Sequence, residues 1–219
     1  MVHIRPYQPR DRKGVINVCW QTGYMGKSAA GHFDDPYLFG LLFCLYYIDH
    51  EPENCFVAVD EETEQVVGYI LSSIDSKKQE ENFRKKMIRK ITLRAFLYTI
   101  WRYPRTFRVL WHFKKIWEKE PKIDNEKTLL ETYPAHLHID ILPEYQRQGI
   151  GTQLMETLEI HLKNLNVEGV HLGTSEQNVN AVRFYQKLNF SLIYEGSSDY
   201  GMWPDAPEIK SLIFAKEIG

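Results

Sequence analysis

The residues best suited to chemistry stand close together in the C-terminal half of the chain. The run Gln146-Arg147-Gln148-Gly149-Ile150-Gly151-Thr152 follows a strand-like stretch, Ala135 to Leu142, and opens an amphipathic one, Ile150 to Leu165. A glycine loop entering a helix gathers unpaired backbone N–H groups and the positive end of the helix dipole at one point, which suits an anion and above all a phosphate. Gly149 and Gly151 carry no side chain and let the backbone come close to a pyrophosphate, with Gln146, Arg147, Gln148 and Thr152 as flanking polar groups. Pro143 stops the strand just ahead of the loop by removing a ladder donor. The spacing is neither the dinucleotide-binding fingerprint nor a Walker loop, because no third glycine and no Gly-Lys-Ser/Thr follow. By itself, Gly-x-Gly serves equally well as a turn and helix cap.

The preceding strand carries groups that can move protons. Alternation puts His136, His138, Asp140 and Leu142 on one face and Leu137, Ile139 and Ile141 on the other. His138 and Asp140 therefore share a face of the strand that ends at the anion site, and either could accept a proton directly or through water. His136 and His171 read as structural strand histidines. No further ligand cluster joins His136, His138 and Asp140, so no metal is expected.

Two blocks together resemble a known superfamily. Gln146-Arg147-Gln148-Gly149-Ile150-Gly151 resembles the Gln/Arg-x-x-Gly-x-Gly/Ala signature of the GCN5-related N-acetyltransferases, the GNAT superfamily. Asn178, Ala181, Tyr185 and Phe190 resemble the Asn-x-x-Ala-x-x-x-Tyr stretch, ending in Gly-Phe, that follows the fifth strand there. Asn189 stands where most relatives have glycine, and asparagine is the next-best residue at a left-handed cap.

The resemblance implies an α/β GNAT fold, with a mixed, mostly antiparallel central sheet flanked by helices, in which 1–219 forms one domain. It also implies acetyl-coenzyme A as co-substrate. Gln146, Arg147, Gln148, Gly149, Ile150, Gly151 and Thr152 would grip the pyrophosphate. Backbone at Ile139 and Ile141 would pair with the pantetheine arm as with an added strand, and Asn178 would bond it from the side. The Ile141 N–H would donate to the thioester oxygen. Tyr185 would protonate the departing thiolate, its phenol being a donor with an ordinary pKa of about 10. Helix packing for Tyr185 and helix capping for Asn178 are the plain alternatives. The acceptor implied is an amine, attacking directly in a ternary complex; its identity stays open, from small polyamines to protein N-termini. A narrower resemblance, carried by Ala135 to Asp140 and Gly169 to Gly173, is to the acetyltransferase-like domain of protein O-GlcNAcases and its free-standing bacterial relatives. Two other functions stand beside this one: a catalytically silent acyl-coenzyme A binding module, and an interaction protein acting through a basic insertion at about 76–122.

Composition narrows the setting. A chain of 219 residues can bury a sizeable core, and its formal net charge of −2 argues against a general affinity for nucleic acid or membranes. Cys19, Cys44 and Cys55 lie in apolar stretches without CxxC spacing and read as buried free thiols. No cleavable signal precedes the first strand, and no apolar stretch reaches the roughly 18 residues of a spanning helix. A cytoplasmic protein without specific nucleic-acid partners is expected, and a homodimer is compatible with this reading.

The elements around the site follow in order. Val2 to Arg5 reads as a strand, Asp11 as the N-cap of a first helix, and Gln21 to His32 as a loop beside the acceptor pocket, with Tyr24 placed to stack there. Asp34-Asp35-Pro36 starts a helix that Leu38 to Ile48 continues, and Glu51-Pro52 ends it. Cys55 to Val59 and Gln65 to Ser73 form a hairpin around an acidic turn. Ser76 to Lys122 differs in kind: it holds 15 Lys/Arg against 4 Asp/Glu, a balance of +11, and the rest of the chain carries −13. Phe83, Met87, Ile91, Ala95 and Tyr98 recur at helical spacing, Tyr103-Pro104 interrupts, and Phe107, Leu110 and Trp111 resume. Two basic, aromatic-rich helices inserted between the third and fourth strands are expected, with three readings: a solvated basic face on helices packed through their aromatics, a wall over the acceptor pocket that attracts an acidic acceptor or the phosphates of coenzyme A, and a nucleic-acid or membrane-surface patch. Lys122 to Tyr133 reads as a polar connection, Glu168 to Gly173, Phe190 to Tyr194 and Ile209 to Lys216 as strands, and Met202 to Asp205 as a loop able to touch an acceptor.

Overall fold

Seven strands form one mixed sheet in the order β1-β2-β3-β4-β5-β7-β6. The computed structural model describes residues 1–117, 126–197 and 209–219. The strands are β1 Val2–Pro6, β2 Cys55–Asp60, β3 Val66–Ser73, β4 Ala135–Ile141, β5 Gly169–Ser175, β6 Ser191–Ser197 and β7 Lys210–Glu217. Every residue of β3, and all of β2 but Asp60, is buried, so these strands are covered on both faces. Every neighbouring pair is antiparallel except β4–β5.

One face carries α1 Arg12–Thr22, α2 Pro36–Phe43, α3 Leu45–His50 and α4 Ser76–Arg94, whose core includes Val15, Leu38, Tyr46, Tyr69 and Met87. The other carries α8 Ile150–Asn164, whose Ile150, Leu154, Leu158 and Leu162 form a buried stripe. Leu165, expected to continue that stripe, lies at the C-cap and is half exposed. The cysteines are buried free thiols.

Three boundaries differ from expectation. Asp11 makes no capping bond to α1; its carboxylate takes both Arg5 guanidinium nitrogens at 2.6 and 2.7 Å and the Gln8 N–H at 2.8 Å. A bidentate charged pair is the stronger claim on one carboxylate. The expected single helix across Leu38 to Ile48 breaks at Cys44 into α2 and α3. Part of the expected polar connection is helical, α7 Glu126–Thr132, where Leu129 and Leu130 are half-buried and the residues are good helix formers.

The insertion is helical, as the composition change suggests. α4 continues through a π turn, Ala95–Thr99, into the short α5 Ile100–Arg102, and α6 Pro104–Trp117 begins at the expected proline. Asp35 fixes it to the body. Fully buried, its carboxylate caps α2 through the Leu38 N–H, accepts the Thr99 hydroxyl at 2.7 Å and takes Arg94 at 3.0 and 3.2 Å. Asp35→Asn keeps the shape but removes the charge facing Arg94, and should lower the unfolding free energy in urea by about 2 kcal/mol. An unchanged midpoint would show that this clamp carries no stability.

The aromatics of the insertion do not all pack inward. Phe83, Met87, Ile91 and Ala95 join the core, whereas Tyr98 lies partly exposed beneath the Arg94 guanidinium at 3.8 Å, and Phe96, Trp101 and Trp111 face outward.

Candidate active site

The site is made by a parallel pair that separates. β4 and β5 pair only at Ala135↔Val170 and His136↔His171. Beyond these two positions β5 runs on beside β7 alone, from Leu172↔Phe214 to Ser175↔Ser211, while β4 stays with β3. The strands therefore open into a wedge toward their C-terminal ends. On β4 the Leu142 N–H bonds Val67 at 2.9 Å, which fixes the alternation. Even-numbered residues turn their backbone groups to β3, Leu137 turns toward the paired start of β5, and Ile139 and Ile141 turn theirs into the wedge.

Two helix N-termini close around this opening. The turn Pro143–Tyr145 leads into Gln146, Arg147 (φ 62°), Gln148 and Gly149 (φ 84°), where α8 begins without a side-chain cap. The left-handed backbone at Gly149 suits glycine. Gly151 is closely packed: a Cβ there would lie 3.1 Å from Phe184 Cζ and 3.3 Å from Ile141 Cδ1, so those side chains would have to give by a few tenths of an ångström. Across the wedge, Asn178 caps α9 Val179–Lys187 by accepting the Ala181 N–H at 3.4 Å. A cavity of about 630 Å³ lies between them.

Most residues singled out by sequence meet at this cavity. Ile139, Asp140 and Ile141 line it from β4, Gln146, Arg147, Gly149, Gly151 and Thr152 from the loop and α8, and Asn178 and Tyr185 from α9. Gln146 also donates to the Ile141 carbonyl at 2.9 Å, tying the loop to the strand end. Three others are placed elsewhere. Ile150 is buried in the core beneath the loop. Gln148 is exposed and donates to the Glu144 carbonyl at 3.0 Å. His138 is not among the lining residues; its ring lies 5.5 Å from that of Tyr47 and 5.0 Å from that of His136.

Other lining residues had weaker signals. Thr22, Met25, Gly26 and Lys27 come from the end of α1 and the loop after it, while Phe184 and Lys187 lie on α9. That loop was expected to wall the pocket, but Tyr24 stacks on His32 with centroids 3.9 Å apart and is not a lining residue. Met202 to Asp205 lie outside the described residues.

The electrostatics separate the two candidate bases. Burial raises the Asp140 carboxyl to about 6, against hydrogen bonds from the Tyr69 and Thr22 hydroxyls. Tyr69, directly opposite Asp140 in the β3–β4 register, donates to it at 2.6 Å. Burial lowers His138 to about 4. His136 is likewise held neutral, and its Nδ1 shares a hydrogen bond with the Tyr47 hydroxyl at 2.9 Å. His171 donates from Nδ1 to the Tyr133 carbonyl at 2.8 Å. Each of these two rings is thereby tied to a neighbouring segment. Among the described residues, no group of three or more His, Cys, Asp or Glu side chains is placed to hold a metal ion.

Known proteins match this arrangement. The model of the acetyltransferase (GNAT) family matches residues 20–190. An N-alpha-acetyltransferase of Saccharolobus solfataricus is 39% identical over 56 residues, which is 25% of this chain and 34% of that protein. The chain thus spans about a third of that relative's length. Among solved structures, a protein titled SsHAT is 28% identical with a TM-score of 0.71, over 100% of this chain and 98% of that one. An agmatine N-acetyltransferase shares the fold at 16% identity and a TM-score of 0.60, over 99% of each chain.

Proposed function

Because the chain belongs to the acetyltransferase (GNAT) family, we propose that it transfers the acetyl group of acetyl-coenzyme A to an amine that attacks it directly. The observation that carries this reading is the wedge between β4 and β5, with unpaired backbone on one wall, an uncapped helix N-terminus at its mouth, and a carboxylate and a phenol inside. A narrower kinship with the acetyltransferase-like domain of protein O-GlcNAcases rests on Ala135 to Asp140 and Gly169 to Gly173, which belong to the two strands flanking that wedge.

The residues fit the co-substrate. Backbone N–H groups at the start of α8, with Gly149 and Gly151 leaving room above them and Arg147 and Thr152 beside them, suit a pyrophosphate. Ile139 and the Ile141 N–H, turned away from β3, offer an amide-bearing arm the pairing of a missing strand. Asn178 can bond the same arm from α9. The Ile141 N–H, its own carbonyl held by Gln146, is fixed to donate to the carbonyl oxygen on which charge develops. As the amine nitrogen bonds the acetyl carbon and the carbon–sulfur bond breaks, Asp140 takes a proton from nitrogen and Tyr185 gives one to sulfur. The products are an amide and a free thiol, and the two side chains are reset by exchange with solvent.

The test is titration with acetyl-coenzyme A by calorimetry, followed by thiol release over a panel of polyamines, aromatic amines and peptide N-termini. Micromolar binding with amine-dependent thiol release is expected. Binding without release from any amine would leave a silent acyl-coenzyme A module and sink the catalytic reading. Gly151→Ala should weaken acetyl-coenzyme A by roughly threefold to tenfold, because the new methyl crowds Phe184 and Ile141, which both line the cavity. Unchanged affinity would separate that contact from binding.

A further inference from the structure

The insertion carries a surface that acetyl transfer leaves unused. Between Glu81 and Glu118 the sequence has no aspartate or glutamate, while eleven lysines and arginines stand there. α4 buries Met87 with the half-buried Phe83, Ile91 and Ala95 against the body, and its other side continues into an apolar knuckle. Leu93, Phe96, Leu97 and Trp101 are 48%, 66%, 69% and 79% exposed. Their spacing of three and four residues places them side by side along the helical run rather than scattered over it. Single exposed apolar residues are ordinary, but a contiguous group of this size is a surface for contact.

Exposed Lys86 and Arg89 precede the knuckle on α4, Arg102 adjoins Trp101, and exposed Arg108 follows on α6; none of the four forms an ion pair among the described residues. The mount is rigid. Besides the Asp35 clamp, the Asp34 N–H bonds Thr106 at 2.7 Å and Arg105 donates to the Gly31 carbonyl at 2.7 Å. The knuckle is therefore presented in a fixed pose, with little ordering left to do on contact.

We propose that this face docks on the surface of an anionic lipid bilayer. A bilayer interface offers hydrocarbon to a protruding aliphatic and tryptophan tip and negative headgroups to the cations around it. Among the described residues no helix is long and apolar enough to cross a membrane, and the docking proposed needs none. Nucleic acid fits the cations but not Leu93 and Leu97, which offer no ring for base stacking.

The test is co-sedimentation of the full chain with phosphatidylcholine vesicles and with vesicles containing about 30% phosphatidylserine, at low and high salt. Binding to the anionic vesicles alone, weakening with salt and shifting tryptophan emission to the blue, is expected. Leu97→Ser with Trp101→Ser should reduce it by tenfold or more. Arg102→Glu with Arg108→Glu should cost at least a factor of about five for each cation lost. All four positions are exposed, so the variants should fold, and unchanged acetyl-coenzyme A affinity would confirm that they do. Absent vesicle binding overturns the proposal. So does vesicle binding that both variants retain, single-stranded oligonucleotide binding that outlasts vesicle binding at about 0.3 M salt, or a dimer in sedimentation velocity that the serine variant dissolves.

Discussion

Tyr185→Phe should lower kcat by roughly 10²- to 10³-fold while leaving acetyl-coenzyme A affinity within about twofold. The ring of Tyr185 is 6% exposed and packs against Phe184, Phe190 and Phe214 with centroids 5.5, 5.9 and 5.9 Å away. Phenylalanine keeps that packing, so the thermal midpoint should move little, and the change isolates the hydroxyl. A phenol close in acidity to an alkyl thiol can share its proton with the departing sulfur throughout bond breaking. Its loss therefore falls on the chemical step, and kcat and kcat/KM should drop together. A rise in KM at constant kcat would instead make Tyr185 a wall of the binding site, and unchanged kinetics would leave it as packing only.

The part of this site written in local sequence is the loop and the strand before it. A Gly-x-Gly run behind a proline and ahead of an apolar stripe has few other ways to fold, and the alternation of Ala135 to Leu142 assigns each side chain its face without reference to the rest of the chain. What depends on register was not legible. Tyr69 meets Asp140 because β3 and β4 pair at that position, and the wedge opens because β4 and β5 pair at two positions only, β7 lying along the other edge of β5. Both are long-range outcomes that no local period reports. The loop at Met25 to Lys27 likewise enters the cavity by tertiary placement. In the insertion, periodicity identified the helices but overstated their burial. Helical spacing marks a face, and only the body beneath decides which face is covered: Met87 is enclosed, whereas Phe96 and Trp101 at equally apolar positions are not.

Asp140→Asn should reduce kcat/KM by on the order of 10²-fold, and the pH profile identifies why. Only the ionised carboxylate can accept the amine proton, and burial places its transition at about 6. Wild-type kcat/KM should therefore rise with pH through about 6 and level above it. Tyr69 donates to the ionised form, so Tyr69→Phe should shift that rise to higher pH. His138 titrates near 4, and a base there would place the rise about two units lower and leave it indifferent to Tyr69. Stability runs the opposite way. A carboxyl raised in the folded state holds its proton longer than in the unfolded chain, so its contribution falls as pH rises from about 4 to about 6. Asp140→Asn lacks this loss and should gain on the wild type across that window and no further. Weak activity in a variant that gains relative stability there would locate the defect in proton transfer, whereas loss of both would mean that Asp140 holds the strand pair together.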